Sequence, residues 1–64
     1  PSLVAPIFWL MHYVDHESFE IHECAPGAAR NVGKLLTRNQ SARPVQIWDQ
    51  EYRCIEVQSL RQGG

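Results

Sequence analysis

APGAARNVGKLLTRNQ, residues 25–40, is the one strong helical pattern in the chain, and the segments on both sides of it have the composition of strands. Five of its apolar residues recur at the spacing of one helix face: Ala28, Ala29, Val32, Leu35 and Leu36. Pro26 suits the first helical turn, where its missing N–H would have no partner in any case. Asn39 favours a helix end because asparagine readily adopts the left-handed conformation. The stretch therefore predicts one amphipathic helix of about 13 residues.

Two segments before this helix and two after it are typical of strands. Residues 7–14, IFWLMHYV, are rich in aromatic and branched side chains, and residues 19–24, FEIHEC, alternate between apolar and polar types. Residues 45–48, VQIW, predict a short strand, and residues 52–60 predict a longer one. We therefore predict an α+β fold in the order β-β-α-β-β, with two hairpins in one four-stranded sheet and the helix on one face. The strand order is not determined, and a mixed sheet is allowed.

The turn at residues 15–18 sets which side chains of the first hairpin face the helix. A four-residue loop would pair Val14 with Phe19 and His12 with Ile21. That register places Phe19 and Ile21 on the helix side of the sheet. It leaves three large residues of the first strand on the outer side: Trp9, Met11 and Tyr13. We then expect eight residues to form one core: Val32, Leu35, Leu36, Phe19, Ile21, Ile47, Ile55 and Val57.

Length and composition indicate one small domain, residues 1–64, with flexible ends at 1–5 and 61–64. The apolar fraction of 44% is typical of a folded chain, and the net charge of −1 gives no general attraction to nucleic acid or membrane. Two cysteines are too few for a disulfide scaffold, which favours a reducing, cytoplasmic location. The apolar run at residues 3–14 is too short to span a bilayer, so we expect no membrane association.

Three histidines and two cysteines are the candidate metal ligands: His12, His16, His22, Cys24 and Cys54. A closed zinc site usually takes its ligands as two tight pairs, and only His22 with Cys24 makes such a pair. A cysteine nucleophile would need a histidine beside it, whereas adjacent strand residues face opposite sides of a sheet. No glycine-rich phosphate loop and no Gly-x-Ser-x-Gly motif occurs. We therefore predict no catalytic residue, no metal and no cofactor.

Basic residues recur along a second face of the helix at Arg30, Lys34 and Arg38. With Arg43, this stripe holds four of the six basic residues of the chain, whereas the acidic residues lie in the flanking strands and turns. Such a stripe can follow phosphates or complement an acidic protein surface. It can equally be the solvated face of an ordinary amphipathic helix.

The outer sheet face carries the more unusual signal, a set of five large side chains: Trp9, Met11, Tyr13, Trp48 and Tyr52. One helix covers one face of a sheet, so an aromatic patch on the other face predicts an interaction surface. Trp, Tyr and Met are enriched at protein interfaces, and aromatic rings also stack on bases. We predict that these residues bind the partner, together with the basic residues of the helix. A shift of one residue in register would instead send them into the core.

The terminal Gly63-Gly64 resembles the tail of small ubiquitin-like and sulfur-carrier proteins, which also begin with a hairpin and a helix. That resemblance implies a carrier role. This chain lacks room between helix and tail for the additional strand and turn segments of that family.

Residues 19–36, FEIHECAPGAARNVGKLL, and residues 44–57, PVQIWDQEYRCIEV, resemble several small phage and mobile-element proteins, including anti-CRISPR proteins. The shared features are a strand that ends in a small residue, a helix with Ala and Arg, and a hairpin with Trp. The resemblance implies a non-enzymatic inhibitor that binds a host protein or protein–RNA complex. We therefore expect a small interaction protein, with self-association as a homodimer also open. The alternative is a nucleic-acid-binding module that uses the basic stripe or the aromatic face.

Overall fold

A computed structural model describes residues 5–39 and 41–59. The elements come in the predicted order: β1 (Phe8–Tyr13), β2 (Phe19–Cys24), α1 (Pro26–Asn39), β3 (Val45–Trp48) and β4 (Cys54–Gln58). Helix α1 packs on one face of a four-stranded sheet, which confirms the predicted α+β fold. The predicted flexible ends lie outside the described residues except for Ala5, and the Gly63-Gly64 tail lies outside them as well.

The strands lie in the order β2-β1-β3-β4, and each neighbouring pair is antiparallel. Helix α1 leaves the edge strand β2 and returns the chain to β3, which pairs with β1 rather than with β2. The helix therefore crosses over β1, and it packs chiefly above β3 and β1. The sheet is antiparallel and not mixed, and its two edges are β2 and β4.

Helix α1 depends on packing, because two of its 14 residues, Gly27 and Gly33, are poor helix formers. Gly33 has a packing reason to be there. A Cβ at this position would lie 2.8 Å from Oε1 of Gln58 on β4. Gly33 therefore leaves room for the Gln58 side chain against the helix, and Gln58 Nε2 donates a hydrogen bond to the carbonyl of Arg30 (3.2 Å) at the same contact.

The first hairpin has a register one residue away from the predicted one. Tyr13 pairs with Phe19, and Met11 pairs with Ile21, so the predicted pairing of Val14 with Phe19 is wrong. Because side chains alternate between the two faces of a strand, this shift moves every side chain of β2 to the other face. Phe19 and Ile21 therefore lie on the outer face of the sheet.

The Asp15 side chain explains the register. Its Oδ1 atom accepts hydrogen bonds from the backbone N–H groups of Glu17 and Ser18, at 2.8 and 2.7 Å. Val14 N also donates to the carbonyl of Ser18 at 2.9 Å. An aspartate that bonds to N–H groups two and three residues later closes a tight turn. The turn makes the loop between the last paired residues one residue longer than the sequence predicts.

The core is smaller than predicted and differs in composition. Among the described residues, the buried apolar side chains are Leu10, Ala29, Val45 and Ile47, and Phe8, Cys24, Val32 and Leu36 pack against them. Three predicted core residues are thus correctly placed. The other five are at least half exposed: Phe19 (52%), Ile21 (56%), Leu35 (55%), Ile55 (51%) and Val57 (57%). Leu35 is exposed because Ala29, Gly33 and Leu36, at helical spacing, occupy the side of α1 that faces the sheet.

The register of β4 accounts for the remaining core errors. Glu56 and Gln58 pair with the two buried residues of β3 and therefore face the helix, so Val57 faces away from it. Ile55 lies at an irregularity in the β3–β4 pairing and lines a groove beside the helix N-terminus. β4 thus presents polar side chains to the helix, contrary to the prediction from its apolar residues.

Truncation of a side chain at the centre of the core should lower the free energy of unfolding far more than truncation of a side chain on the exposed side of the helix. We expect Leu10→Ala to lower the free energy of unfolding by about 2–5 kcal/mol, because it removes a fully buried side chain between sheet and helix. Leu35→Ala should change it by less than about 0.5 kcal/mol, since Leu35 is 55% exposed. Urea unfolding of both variants measures the difference. Equal losses would contradict the core described above.

The Asp15 turn should give the fold a measurable acid sensitivity. Hydrogen bonds from the backbone N–H groups of Glu17 and Ser18 hold the pKa of Asp15 below its ordinary value of 3.8. A carboxyl group with a lowered folded-state pKa stabilises the fold above its unfolded pKa, and this contribution is lost as the pH falls through the folded-state pKa. We expect Asp15→Ala to lower the melting temperature at neutral pH.

The difference in melting temperature between Asp15→Ala and the parent chain should become smaller as the pH falls below 3.8. Melting curves followed by circular dichroism from neutral pH to about pH 2.5 test this. Glu17→Ala is the control, because it retains the backbone N–H group that Asp15 binds. A gap that stays constant across this range would show that the ionised carboxylate does not hold the turn.

Candidate functional site

The face of the sheet opposite α1, which we call the open sheet face, carries a group of large apolar side chains with Glu23 and Gln46 among them. It contains residues from all four strands and from the β3–β4 turn: Trp9, Met11, Tyr13, Phe19, Ile21, Trp48, Tyr52 and Val57. The structure thus brings together the five sheet residues that the sequence selected. It adds Phe19, Ile21 and Val57, which the sequence assigned to the core.

The centre of the open sheet face is concave, with a cavity volume of about 430 Å³. Its lining is almost wholly apolar and consists of Trp9, Met11, Phe19, Ile21, Trp48 and Tyr52. Tyr52 is the most exposed large apolar side chain in the described chain, at 75%. Concave apolar surface of this kind is typical of a binding site.

Tyr52 is held over the rim of this concavity by an unusual backbone conformation. Its φ of 63° lies in the left-handed region, which is uncommon for a residue other than glycine. The surrounding turn supports it: Tyr52 N donates to the carbonyl of Asp49 (3.0 Å), and Asp49 Oδ1 accepts from the N–H groups of Glu51 and Arg53. The conformation brings the Tyr52 ring parallel to Trp9, with centroids 5.2 Å apart and planes 13° apart. The two rings are therefore prearranged as one wall of the concavity.

The other end of the open sheet face combines aromatic rings with a cation. The ring of Tyr13 contacts the ring of Phe19, with centroids 5.8 Å apart. The Arg43 guanidinium lies 4.5 Å from the centroid of the Tyr13 ring and donates a hydrogen bond to the carbonyl of His16 (2.7 Å). Arg43 therefore belongs with this end of the sheet rather than with the basic stripe of the helix, to which the sequence assigned it.

The predicted basic stripe lies on the helix, on the other side of the sheet. Arg30 is engaged in the fold, because its Nη2 and Nε atoms lie 3.1 and 3.2 Å from Oε1 of Glu56. The pKa of Glu56 is lowered by the hydrogen bond from the Gln58 side chain and, to a smaller extent, by the charge of Arg30. Lys34 and Arg38 are exposed. The stripe and the aromatic residues are thus two separate surfaces.

A second cluster lies on the helix side of the first hairpin, and the sequence prediction missed it. His12 Nε2 is 3.0 Å from His22 Nε2 and 3.3 Å from Glu20 Oε1, and His22 Nε2 is 3.4 Å from the same carboxylate oxygen. Of the side chains that the structure describes, these three form the one group able to share a metal ion. His16, Cys24 and Cys54, the other ligand candidates, do not belong to it.

One error in the β1–β2 register explains why the sequence prediction missed Phe19 and Ile21 on the open sheet face and Glu20 beside the two histidines. The alternation in FEIHEC identifies two sets of side chains on β2, but it does not say which set faces the helix. The Asp15-x-Glu17-Ser18 sequence was the available signal, since an aspartate followed by polar residues favours a tight local turn. With the turn closed by Asp15, His12 lies opposite Glu20 and diagonal to His22.

Comparison with known proteins adds no relative: no family model, no curated protein and no solved structure matches the chain. Within residues 5–39 and 41–59, the structure contains no helix with the length and apolar character needed to cross a membrane.

Proposed function

We propose that this chain is a small protein-binding module whose open sheet face accepts an apolar helix of a partner protein. The observation that carries the proposal is the apolar concavity formed by Trp9, Met11, Phe19, Ile21, Trp48 and Tyr52. Removal of such an apolar surface from water by a second apolar surface is favourable and therefore stabilises a complex. The proposed role is binding without catalysis.

The chemistry of the face favours a protein over a nucleic acid. Its concavity offers almost no polar atoms to phosphates or base edges. The ring faces of Trp9 and Tyr52 are already stacked on each other, so one face of each is not free for a base. The basic residues that would follow a phosphate backbone lie across the sheet on α1, where Arg30 is paired with Glu56.

The shape of the face favours a convex partner over a second copy of the chain. Two concave faces laid against each other would enclose a void, and voids in apolar interfaces forfeit contacts. Four strands spaced about 4.8 Å apart give a face roughly 14 Å across, which is close to three turns of a helix. A helix there would mirror α1 and turn the molecule into a three-layer assembly.

The resemblance to anti-CRISPR and other mobile-element proteins narrows this proposal to an inhibitor of a host protein or protein–RNA complex. A protein–protein contact through an apolar face is compatible with that role. The predicted cytoplasmic location is part of the same proposal, and it is supported by two free thiols, Cys24 and Cys54.

A single charge on the open sheet face should abolish partner binding, whereas the same change on the helix should not. Ile21 and Leu35 make a matched pair, because they are exposed to nearly the same extent, 56% and 55%, on opposite sides of the molecule. We expect Ile21→Glu to lose proteins that the parent chain and Leu35→Glu both capture from a lysate of the source organism. With the captured protein purified, Ile21→Glu should weaken binding by about 30-fold or more, because it places a charge in an apolar interface.

Two further measurements test whether a second copy of the chain or a nucleic acid, rather than a partner protein, binds the open sheet face. Sedimentation equilibrium of the parent chain tests self-association; an Ile21-dependent dimer would mean that a second copy covers the face. Salt titration of binding to single-stranded DNA and RNA tests the nucleic-acid alternative, in which Lys34→Glu/Arg38→Glu should flatten the slope of log affinity against log salt by about 1.4. The proposal is wrong if that helix variant abolishes partner binding while Ile21→Glu binds normally.

A further inference from the structure

The cluster of His12, Glu20 and His22 has the dimensions of three ligands around one metal ion. The three facing atoms form a triangle with edges of 3.0, 3.3 and 3.4 Å. In a tetrahedral zinc site, nitrogen and oxygen ligands lie about 2.0–2.1 Å from the ion and therefore about 3.3–3.4 Å from one another. An ion about 2.05 Å from all three atoms would lie about 0.8 Å outside their plane. The two edges to Glu20 match the required spacing, and the edge between the two Nε2 atoms is about 0.3 Å shorter than it.

The orientation of the two imidazole rings also fits a shared ion. The Nε2 atoms are 3.0 Å apart, whereas the ring centroids are 5.0 Å apart. The two Nε2 atoms therefore face each other, an arrangement that suits a shared ion as well as a hydrogen bond between the rings. The strand pairing produces this arrangement, because His12 and Glu20 are direct partners and His22 is the next helix-facing residue of β2.

Hydrogen bonding alone satisfies this cluster poorly. Each neutral imidazole carries its own proton, at Nε2 or at Nδ1. If both rings are protonated at Nε2, two N–H groups face each other across 3.0 Å, and if one ring is protonated at Nδ1 instead, its Nε2 is an acceptor. That acceptor then faces a carboxylate oxygen at 3.3–3.4 Å, which places two lone pairs against each other. A cation interacts favourably with all three atoms at once. His12 is fully buried, and its Nδ1 atom has no hydrogen-bond partner in the described chain, so its polar interactions depend on Nε2.

The cluster lies at the boundary between the core and solvent. The side chain of His12 is fully buried, whereas those of His22 and Glu20 are 42% and 55% exposed. Helix α1 packs mainly over β1 and β3, so it leaves this part of the edge strand β2 accessible. An ion can therefore enter from solvent, and its fourth position faces water.

We propose that His12, Glu20 and His22 bind a Zn²⁺ ion in tetrahedral geometry, with a fourth position open to solvent. Two neutral imidazoles and one carboxylate are a ligand set that suits zinc. The ion links β1 to the edge strand β2, so zinc binding stabilises the hairpin. This inference does not depend on the proposed protein partner.

The test measures zinc and cobalt binding by the chain and by matched variants. Glu20→Gln and His22→Gln each remove one proposed ligand from an exposed or half-exposed position, so folding should survive both changes. Glu23→Gln is the control for Glu20, since it lies on the same strand but faces away from the cluster, and His16→Gln is the control for His22. Cys24→Ser removes the nearby thiol, which is not part of the site.

We expect the parent chain, Glu23→Gln, His16→Gln and Cys24→Ser to bind one Zn²⁺ each by calorimetry and elemental analysis. Glu20→Gln and His22→Gln should each lower the affinity for zinc by at least about 100-fold. Loss of a residue that only hydrogen-bonds to a metal ligand already lowers metal affinity by about 10- to 100-fold, and loss of the ligand itself should lower it at least as much. Zinc should raise the melting temperature of the four binding proteins and not of the two ligand variants. Co²⁺ in place of zinc should give the intense visible absorption of a tetrahedral site.

Several results would overturn the assignment. The assignment is wrong if the folded parent chain does not bind zinc, or if Glu20→Gln and His22→Gln bind zinc as tightly as the parent chain does. It is also wrong if Cys24→Ser loses zinc binding, or if bound Co²⁺ gives the weak spectrum of a six-coordinate ion. If circular dichroism shows either ligand variant to be unfolded, the other variant and the cobalt spectrum of the parent chain decide the question.

Discussion

The pairing of Tyr13 with Phe19 is the constraint on which the rest of the molecule depends. The Asp15 carboxylate closes the intervening turn by binding two successive backbone N–H groups, and the β1–β2 register follows from that closure. With the register set, Phe19 and Ile21 lie on the open sheet face, while Glu20 and His22 lie on the side of the sheet that carries the helix. A few polar hydrogen bonds in an exposed loop thus decide which chemistry each face of β2 presents.

The outcome is unusual because it leaves apolar side chains in water and brings polar ones towards the core. A register shifted by one residue would place Phe19 and Ile21 on the helix side of β2, where the present side chains, Glu20 and His22, are 55% and 42% exposed. The same shift would move Glu20 and His22 to the open sheet face. The observed register instead keeps an apolar surface available for a partner and keeps the three proposed metal ligands together. Sites that depart from the most stable local arrangement are where function is expected.

The sequence was sufficient for the type and order of the elements and for the composition of the aromatic face. The helix at Pro26–Asn39 and the alternation within β1 and β3 rest on local periodicity, which a single sequence shows directly. Local periodicity does not show which side chains of β2 and β4 face the helix, because an alternating pattern fits either face of the sheet equally well. The predicted four-residue loop is wrong for Phe19 and Ile21, because the Asp15 turn makes the loop one residue longer. The assignment of Val57 to the core by its apolar character is also wrong, because Glu56 and Gln58 face the helix and Gln58 bonds to Arg30.

The two proposed sites lie back to back on one edge strand, and this arrangement has an energetic consequence. β2 is bonded to the sheet on one side by β1, and helix α1 covers it less than the central strands. Any ligand that orders β2 therefore lowers the conformational cost of binding at its other face. Zinc at His12, Glu20 and His22 would hold Phe19 and Ile21 in place for a partner, and a bound partner would hold the three ligands in place for zinc. Such coupling must be reciprocal, because it is a property of one shared equilibrium in the strand.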